Sequence, residues 1–399
     1  MLKNTDNIKI EELLNRGVEE VIDRRHLESR LKSGEKLRIK LGIDPTSPNI
    51  HIGRAGALWK LREFQELGHK VIFIAGDFTG LIGDTSDKES ERPMLTEAQV
   101  DANVKSYFRQ ASQIIDPKKS EMHYNSKWLK KLGFLEIGKM ANAFGLHEME
   151  ARENISRRLK AGKRVSLREL LYPIMQGYDS VAVKADVEIG GTDQRFNLLA
   201  GRIIQPLYNQ KPQDILTRTL MEGTDGRKMS SSWGNVINII DEPNNMFGKV
   251  MSIDDGLIEK YFTLATRVPL SEIREIVQNN PNPRDQKLIL AEHITTLYHG
   301  NKKAKEAKTA FISQFSKGEL PSEIAFKKVT NVMTPPGSYK LSILLKMVEM
   351  VDSKGEARRL IEQKGVKVNG VVSTDTEYTL DGKTEYLLQV GKRKFLKIK

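Results

Sequence analysis

Five stretches of the 399-residue chain combine residue types and spacings suited to chemistry on a charged, polar ligand. In the first, Asp44 and Thr46 precede His51, Gly53 and Arg54 at the head of a helix-compatible run. A histidine beside a glycine at a helix start can meet phosphate oxygens while bare backbone and the positive helix end approach the same anion. An isolated His-x-Gly is equally a strand-to-helix turn with a solvated imidazole. The second stretch holds Thr79, Gly80, Gly83 and Asp84, then Lys88 and Arg92. Asp84 suits an ammonium and the two cations suit phosphate, against the plainer reading as a glycine-rich surface turn. In the third, Tyr172, Gln176 and Asp179 stand at i, i+4 and i+7 and share one helix face. If buried, that polar stripe needs partners, which a polar ligand supplies; otherwise it is an exposed face. The fourth, Glu188 to Gln194, places Gly190 and Gly191 where backbone can approach a ligand and Asp193 where a carboxylate can bind ribose hydroxyls. Its alternative is an Asx turn. The fifth is a cationic, hydroxyl-rich loop with Lys228, Met229, Ser230 and Ser231, or else a set of helix-capping serines.

These groups need elements to hold them. Residues 37–43 read as a strand, 52–67 as a helix and 71–75 as a second strand, which makes a βαβ unit. Such a unit crosses over right-handed, implies a parallel sheet, and binds ligands beyond the carboxyl ends of its strands. Before it, Ile10, Leu13, Leu14, Val18, Val21, Ile22, Leu27 and Leu31 predict one opening helix with Asp6 as its cap. Residues 135–170 read as helical, 181–189 as a further strand, and 243–330 as helices with proline turns at 281–283. The fold class is therefore α/β, with a Rossmann-like parallel-sheet domain expected over 1–242 and an α-helical domain over 243–333. The stretch Thr334-Pro335-Pro336-Gly337-Ser338 reads as a linker to a small α+β domain at 339–399.

Composition narrows the classes. The net charge is +12 and the pI near 9.4, with 39% hydrophobic and 29% charged residues, which excludes a disordered or collagen-like chain. The last 61 residues carry a net +5, as much as the first 250, so the polyanion-seeking surplus is concentrated at the carboxyl end. Absence of cysteine removes disulfides, thiolate metal sites and thiol nucleophiles, and a reducing cytoplasm fits best. The amino end has no signal-peptide pattern, and the apolar runs are too short for a membrane span, so no membrane association is expected.

In this order and spacing, the five stretches resemble a class I aminoacyl-tRNA synthetase, and within that class its tyrosyl members. HIGR at 51–54 is similar to the family's HIGH signature and KMSSS at 228–232 to KMSKS; TGLIGD, the Tyr172/Gln176/Asp179 stripe and GGTDQ match the tyrosine-specific members. Past residue 339, the segment 353–363, which contains Arg358 and Arg359, and the segment with Lys392, Arg393 and Lys394 resemble the small RNA-binding module that ends bacterial tyrosyl enzymes. The resemblance implies activation of L-tyrosine with ATP and Mg²⁺, transfer to the 3′ end of tRNA(Tyr), and a homodimer. It implies Thr46, His51, Lys88, Arg92 and Lys228 at the phosphates; Gly53, Arg54, Gly191, Asp193, Met229, Ser230 and Ser231 about the rest of ATP; and Asp44, Asp84, Tyr172, Gln176, Asp179 and Gln194 about tyrosine. Residues 243–333 would correspond to the anticodon-binding region, and Arg358, Arg359, Lys392, Arg393 and Lys394 would bind RNA.

Four positions depart from the pattern. Arg54 replaces the second histidine of HIGH, and Ser231 the second lysine of KMSKS. Lys40 stands where many tyrosyl enzymes place a tyrosine that touches the substrate phenol, which leaves Asp179 with a different helper, and Glu188 stands where some relatives have glutamine. Two rival readings share most of these features: a tryptophanyl-type synthetase, and a non-catalytic RNA-binding paralogue.

Overall fold

A computed structural model describes residues 6–84, 95–316, 324–327, 337–380, 383–391 and 394–399. Residues up to Lys308 form one compact unit, and Thr309 to Lys399 a second.

In the first unit, six strands, β1 (Val18–Ile22), β2 (Arg38–Ile43), β3 (Lys70–Ala75), β4 (Ser120–Tyr124), β5 (Val187–Gly191) and β6 (Asp214–Arg218), form one sheet in the order β1-β6-β5-β2-β3-β4. All neighbours run parallel except β1, which pairs antiparallel with β6. β3 is apolar after its first residue, with Val71, Ile72 and Ile74 β-branched, and is buried from Val71 to Ala75, as expected of an interior parallel strand covered on both faces. The helix Ile52–Glu66 is the expected crossover between β2 and β3. His51 caps it, with Nδ1 accepting from the Arg54 backbone N–H at 3.3 Å, and Gly68 at φ +94° lets the chain turn away past its end. The ends of β2, β3, β4, β5 and β6 that carry the turns after Ile43, Ala75, Tyr124, Gly191 and Arg218 all lie along one sheet edge, because the register aligns Ile43 with Ala75, Ala75 with Tyr124 and Gly191 with Arg218.

Several boundaries differ from the sequence reading. The opening helix is two helices, Asn7–Asn15 and Arg24–Lys32, separated by β1. Asp6 does cap the first, but Gly17 adopts a left-handed φ of +60° and ends it, and Val18, Val21 and Ile22 take strand form because β6 offers a pairing edge. The strand expected over 181–189 starts later. The helix Leu167–Val183 runs on past Val181 from a capping box at Ser166 and Glu169, Lys184 reverses the chain in the left-handed region, and β5 follows at Val187. The helical stretch 135–170 is broken into Phe134–Ala141, Leu146–Glu150 and Glu153–Lys160 before that long helix. Thr79–Ile82, read as a glycine-rich turn, is a short helix. Helices form over 243–316, with Pro283 at the first turn of Pro283–His299, but Phe326–Lys327, inside the stretch expected to be helical, is a short strand paired parallel with Lys394–Ile398, because that strand offers an edge.

The second unit packs helices Leu341–Met347 and Lys354–Glu362 against a sheet containing Val366–Val368, Tyr386–Val390 and Lys394–Ile398, around Leu344, Leu345, Ala357, Val366, Leu388 and Ile398. Gly337 and Ser338, read as linker, open a strand that pairs with Glu377–Leu380; their side of the ladder supplied a partner that local composition does not show. Within this unit Arg358 and Arg359 are exposed on one helix; Lys394 is exposed and its Nζ donates to the Met350 carbonyl at 3.1 Å, while Lys392 and Arg393 lie outside the described residues.

Candidate active site

A cavity of about 420 Å³ opens at the carboxyl edge of the parallel strands, a size suited to a small-molecule ligand. Its lining includes Asp44, Thr46, His51, Gly53, Arg54, Asp84, Tyr172, Gln176, Asp179, Gly191, Asp193, Gln194, Lys228, Met229, Ser230 and Ser231, so sixteen of the residues singled out from sequence converge there. Lys88 and Arg92 lie outside the described residues.

One end of the cavity is built from the long helix. Asp179 is buried, and its two oxygens accept from Trp128 Nε1 at 2.7 Å and Asn125 Nδ2 at 3.2 Å. Burial pushes its carboxyl up to about 7, against the opposing pull of Lys40 and of the two donors. Gln176, one turn earlier, donates from Nε2 to Glu188 Oε1 at 3.0 Å. Lys40 does not line the cavity; it lies beneath it, fully buried, with Nζ 2.9 Å from Glu188 Oε1 and donating to the Gln176 carbonyl and Ser180 Oγ at 2.8 Å. The helpers of Asp179 are therefore Trp128 and Asn125, while Lys40 and Glu188 satisfy each other and set the Gln176 amide. A buried ion pair of this kind holds only when its remaining hydrogen-bonding capacity is met, and Gln213 Nε2 and Ser180 Oγ complete it at 2.5 and 3.1 Å from Glu188 Oε2.

Next along the cavity, Asp44 accepts from Tyr172 OH at 2.9 Å on one oxygen and from Thr79 Oγ1 at 2.7 Å on the other. Burial, with Asp44 and Asp84 nearby, keeps the Tyr172 phenol protonated far above its ordinary range, so it acts as a donor. Gln194 Nε2 donates to Asp84 Oδ2 at 2.7 Å and is itself oriented by Asn197 at 2.9 Å. This region collects carboxylates and suits a cationic ammonium group.

The opposite end presents donors and cations. Because Nδ1 of His51 accepts the Arg54 amide, its proton is assigned to Nε2. Burial first, then Arg54 and Lys228, drive its pKa down to about 3, so the ring is neutral and donates one N–H. Arg54 donates from Nη2 to Thr46 Oγ1 at 3.1 Å and from Nη1 to Tyr107 OH. Lys228 Nζ is 2.8 Å from Asp193 Oδ2, and Ser231 Oγ donates to Ser47 Oγ at 3.3 Å. The loop is docked by Ser230 N to Asn235 Oδ1 at 2.8 Å and Met229 N to the Met221 carbonyl at 2.8 Å, and the Ile52 amide donates to Ile237 O at 2.8 Å. Cations and an uncharged N–H donor converging on a helix start form an anion site.

Asn125, Trp128, Arg218, Leu220 and Met221 escaped the sequence reading. Asn125 and Trp128 follow β4, whose five residues Ser120-Glu121-Met122-His123-Tyr124 hold only Met122 and Tyr124 as a weak alternation, and Arg218 ends β6 with Leu220 and Met221 just after it, in a stretch without a recognisable motif.

A family model described as "tRNA synthetases class I (W and Y)" matches residues 32–316, and one described as "S4 domain" matches 340–385. The tyrosine--tRNA ligase of Carboxydothermus hydrogenoformans is 46% identical over 397 residues, covering 97% of each chain, and that of Thermotoga maritima is 43% identical over 391 residues, covering 97% of this chain and 96% of its own. Among solved structures, a tyrosyl-tRNA synthetase from Archaeoglobus fulgidus complexed with L-tyrosine has a TM-score of 0.61 at 21% identity, over 76% of this chain and 99% of that one. A C-terminally truncated mitochondrial enzyme from Coccidioides posadasii has a TM-score of 0.62 at 23% identity, over 75% and 91%; both show the shared fold. With a family model spanning most of its length, and relatives matched from end to end, the chain belongs to the class I tRNA synthetases of the W and Y group.

Proposed function

We infer that this protein activates L-tyrosine with ATP and transfers it to the 3′ end of tRNA(Tyr). The observation that carries this reading is one cavity with a buried carboxylate, Asp179, at one end, an ammonium-suited cluster of Asp44, Asp84 and Tyr172 beside it, and an anion site of His51, Arg54 and Lys228 at the other. The relatives matched along nearly the whole chain carry the same activity in their names.

In the first step the tyrosine carboxylate attacks the α-phosphorus of ATP, the bond to the β-phosphate oxygen breaks, and pyrophosphate leaves. Because the substrate supplies its own nucleophile, alignment and charge stabilisation do the catalytic work. His51 donates Nε2–H to a phosphate oxygen, Thr46 and Arg54 support it, and Lys228 exchanges Asp193 for the departing phosphates. Asp193, released, accepts from the ribose hydroxyls, with Gly53, Gly191, Met229, Ser230 and Ser231 against the nucleotide. Asp84, Tyr172, Gln176 and Gln194 hold the ammonium and carbonyl side, and Asp179 accepts the phenol proton. In the second step a hydroxyl of the terminal ribose of tRNA attacks the carbonyl carbon and AMP leaves. Phenylalanine would desolvate Asp179 further without supplying the phenol donor, leaving it only Trp128 and Asn125, a discrimination already known for tyrosine-specific enzymes of this family. Lys88 and Arg92 would add phosphate charge. Mg²⁺ bound to the ATP phosphates would neutralise part of their charge.

Residues 1–242 carry the activation site, 243–333 approach the anticodon, and 339–399 bind RNA through Arg358, Arg359, Lys392, Arg393 and Lys394. Two copies pair through the apolar surface at Phe134 and Leu135, which are 93% and 75% exposed, together with the exposed Leu146, Leu167 and Leu171 on the helices packed around Met140, Met149 and Ile174. The reaction belongs in the cytoplasm, where tRNA is charged. Amino-acid-dependent ATP–pyrophosphate exchange tests the reading: tyrosine should support it and tryptophan should not, and no exchange with tyrosine would overturn it.

A further inference from the structure

Asn197 stands three residues after Gln194, in the first turn of the helix Arg195–Ile204, and Arg152 immediately precedes the helix Glu153–Lys160. Both are buried, and neither lines the cavity, whereas Gln194 and Asp84 do. Four polar side chains form a row that ends at the cavity. Arg152 Nη2 donates to Asn197 Oδ1 at 3.5 Å, Asn197 Nδ2 donates to Gln194 Oε1 at 2.9 Å, and Gln194 Nε2 donates to Asp84 Oδ2 at 2.7 Å. Arg152 is not spent on an ion pair of its own. Arg158 holds Glu169 through both terminal nitrogens, and Arg152 Nη1 is buried without a hydrogen-bond partner among the described residues. The guanidinium lies over the Phe196 ring, 5.0 Å from its centre, beside Asn197. Burial weighs against its charge, and the carboxylates that support it are Asp84 and then Glu169.

A side-chain amide can lie either way round, so its partners decide its sense. Both ends of this row leave no choice, because a guanidinium only donates and an ionised carboxylate only accepts. Arg152 therefore takes the oxygen of Asn197, which turns the Asn197 nitrogen to Gln194; Gln194 in turn gives its oxygen to Asn197 and its nitrogen to Asp84. Any other arrangement of the two amides sets donor against donor at one junction and acceptor against acceptor at another, and burial makes such mismatches costly. At the cavity the outcome is a donor from Gln194 beside Asp84. An amide oxygen in that place would repel Asp84 and the carboxylate of an amino acid alike.

We propose that Arg152 and Asn197 are positioning residues for the amino acid: they fix the sense of the Gln194 amide, and so keep a donor rather than an acceptor beside Asp84 where tyrosine brings its ammonium and carboxylate. The proposal rests on the activation reading above, and the test separates the two. Asn197→Asp is the informative change, because a carboxylate matches the amide in shape but only accepts: it keeps Arg152 as a partner and turns Gln194 round. In tyrosine-dependent ATP–pyrophosphate exchange by the full chain, KM for tyrosine should rise about tenfold, the worth of one hydrogen bond, with KM for ATP unchanged. The thermal unfolding midpoint should hold or rise, since Arg152 gains a charged partner. Arg152→Lys still only donates and should keep KM for tyrosine near the wild-type value, whereas Arg152→Met releases the sense of the row and should raise it several-fold. The proposal is overturned if Asn197→Asp keeps the wild-type KM for tyrosine, if Arg152→Lys and Arg152→Met behave alike, or if both KM values rise together with a falling midpoint, as a merely structural role demands. Should Asn197→Asp fail to fold, the two Arg152 variants carry the comparison. Absence of tyrosine-dependent exchange in the wild type sinks the activation reading instead.

Discussion

The two ends of the cavity are prepared differently. At the end proposed for the amino acid, Asp179, Gln176, Tyr172 and Asp44 hold their geometry through Trp128, Asn125, Glu188 and Thr79, so a ligand would add to bonds already made. At the end proposed for the nucleotide, Lys228 rests on Asp193 and Arg54 on Thr46 and Tyr107, so an incoming anion would displace or share partners. A preorganised end contributes binding and selectivity; an end that exchanges partners can strengthen its contacts as charge develops on the leaving phosphate, which is where rate is gained.

The sharpest way to break this contrast is Lys228→Ala. It should lower kcat for tyrosine-dependent exchange by about 10² to 10³ while leaving KM for tyrosine nearly unchanged; an equal effect on KM for tyrosine would erase the distinction between the ends. Asp179→Asn should act in reverse, narrowing the preference for tyrosine over phenylalanine by about 10 to 100-fold, with little change in KM for ATP. The comparison extends to the carboxyl-terminal residues, which belong to the second unit. Deleting 339–399 should leave exchange intact and raise KM for tRNA about tenfold, with a weaker salt dependence of tRNA binding.

The smallest effect is the pH dependence. With the Asp179 carboxyl raised to about 7, acid restores its proton across the neutral range. The preference for tyrosine over phenylalanine should therefore fall several-fold as pH drops through about 7, because a protonated carboxyl is a weaker acceptor for the phenol. The same raised value means that the protonated group favours the folded state below its ordinary pKa, a contribution lost as pH rises through about 7. His51, held down to about 3, stays neutral across this window and adds no matching dependence to KM for ATP. A flat selectivity profile between pH 5 and pH 9, compared for tyrosine and phenylalanine, would mean that Asp179 does not titrate there.

Much of this was legible before any coordinates. The βαβ unit declared itself because apolar runs, a glycine-flanked turn and a helical period follow one another within a short stretch, and the binding groups sit where such a unit leaves its loops. β1 was not legible: Val18, Val21 and Ile22 satisfy a helical period as well as a strand, and only the free edge of β6 decides between them. Nor was β4, whose polar residues are held by their register with β3, and with it went Asn125 and Trp128.

The order of residues alone determined which groups could do chemistry and that they belong at the ends of parallel strands, since residue type and local period are properties of the chain itself. Tertiary structure decided which partners those groups have. Lys40 was an oddity until it met Glu188, Arg218 was anonymous until it filled the space left by Gly56, and Asp179 became a carboxyl near neutrality only when burial removed its water. Pairing and desolvation depend on atoms far apart in the chain, and no spacing rule reports them.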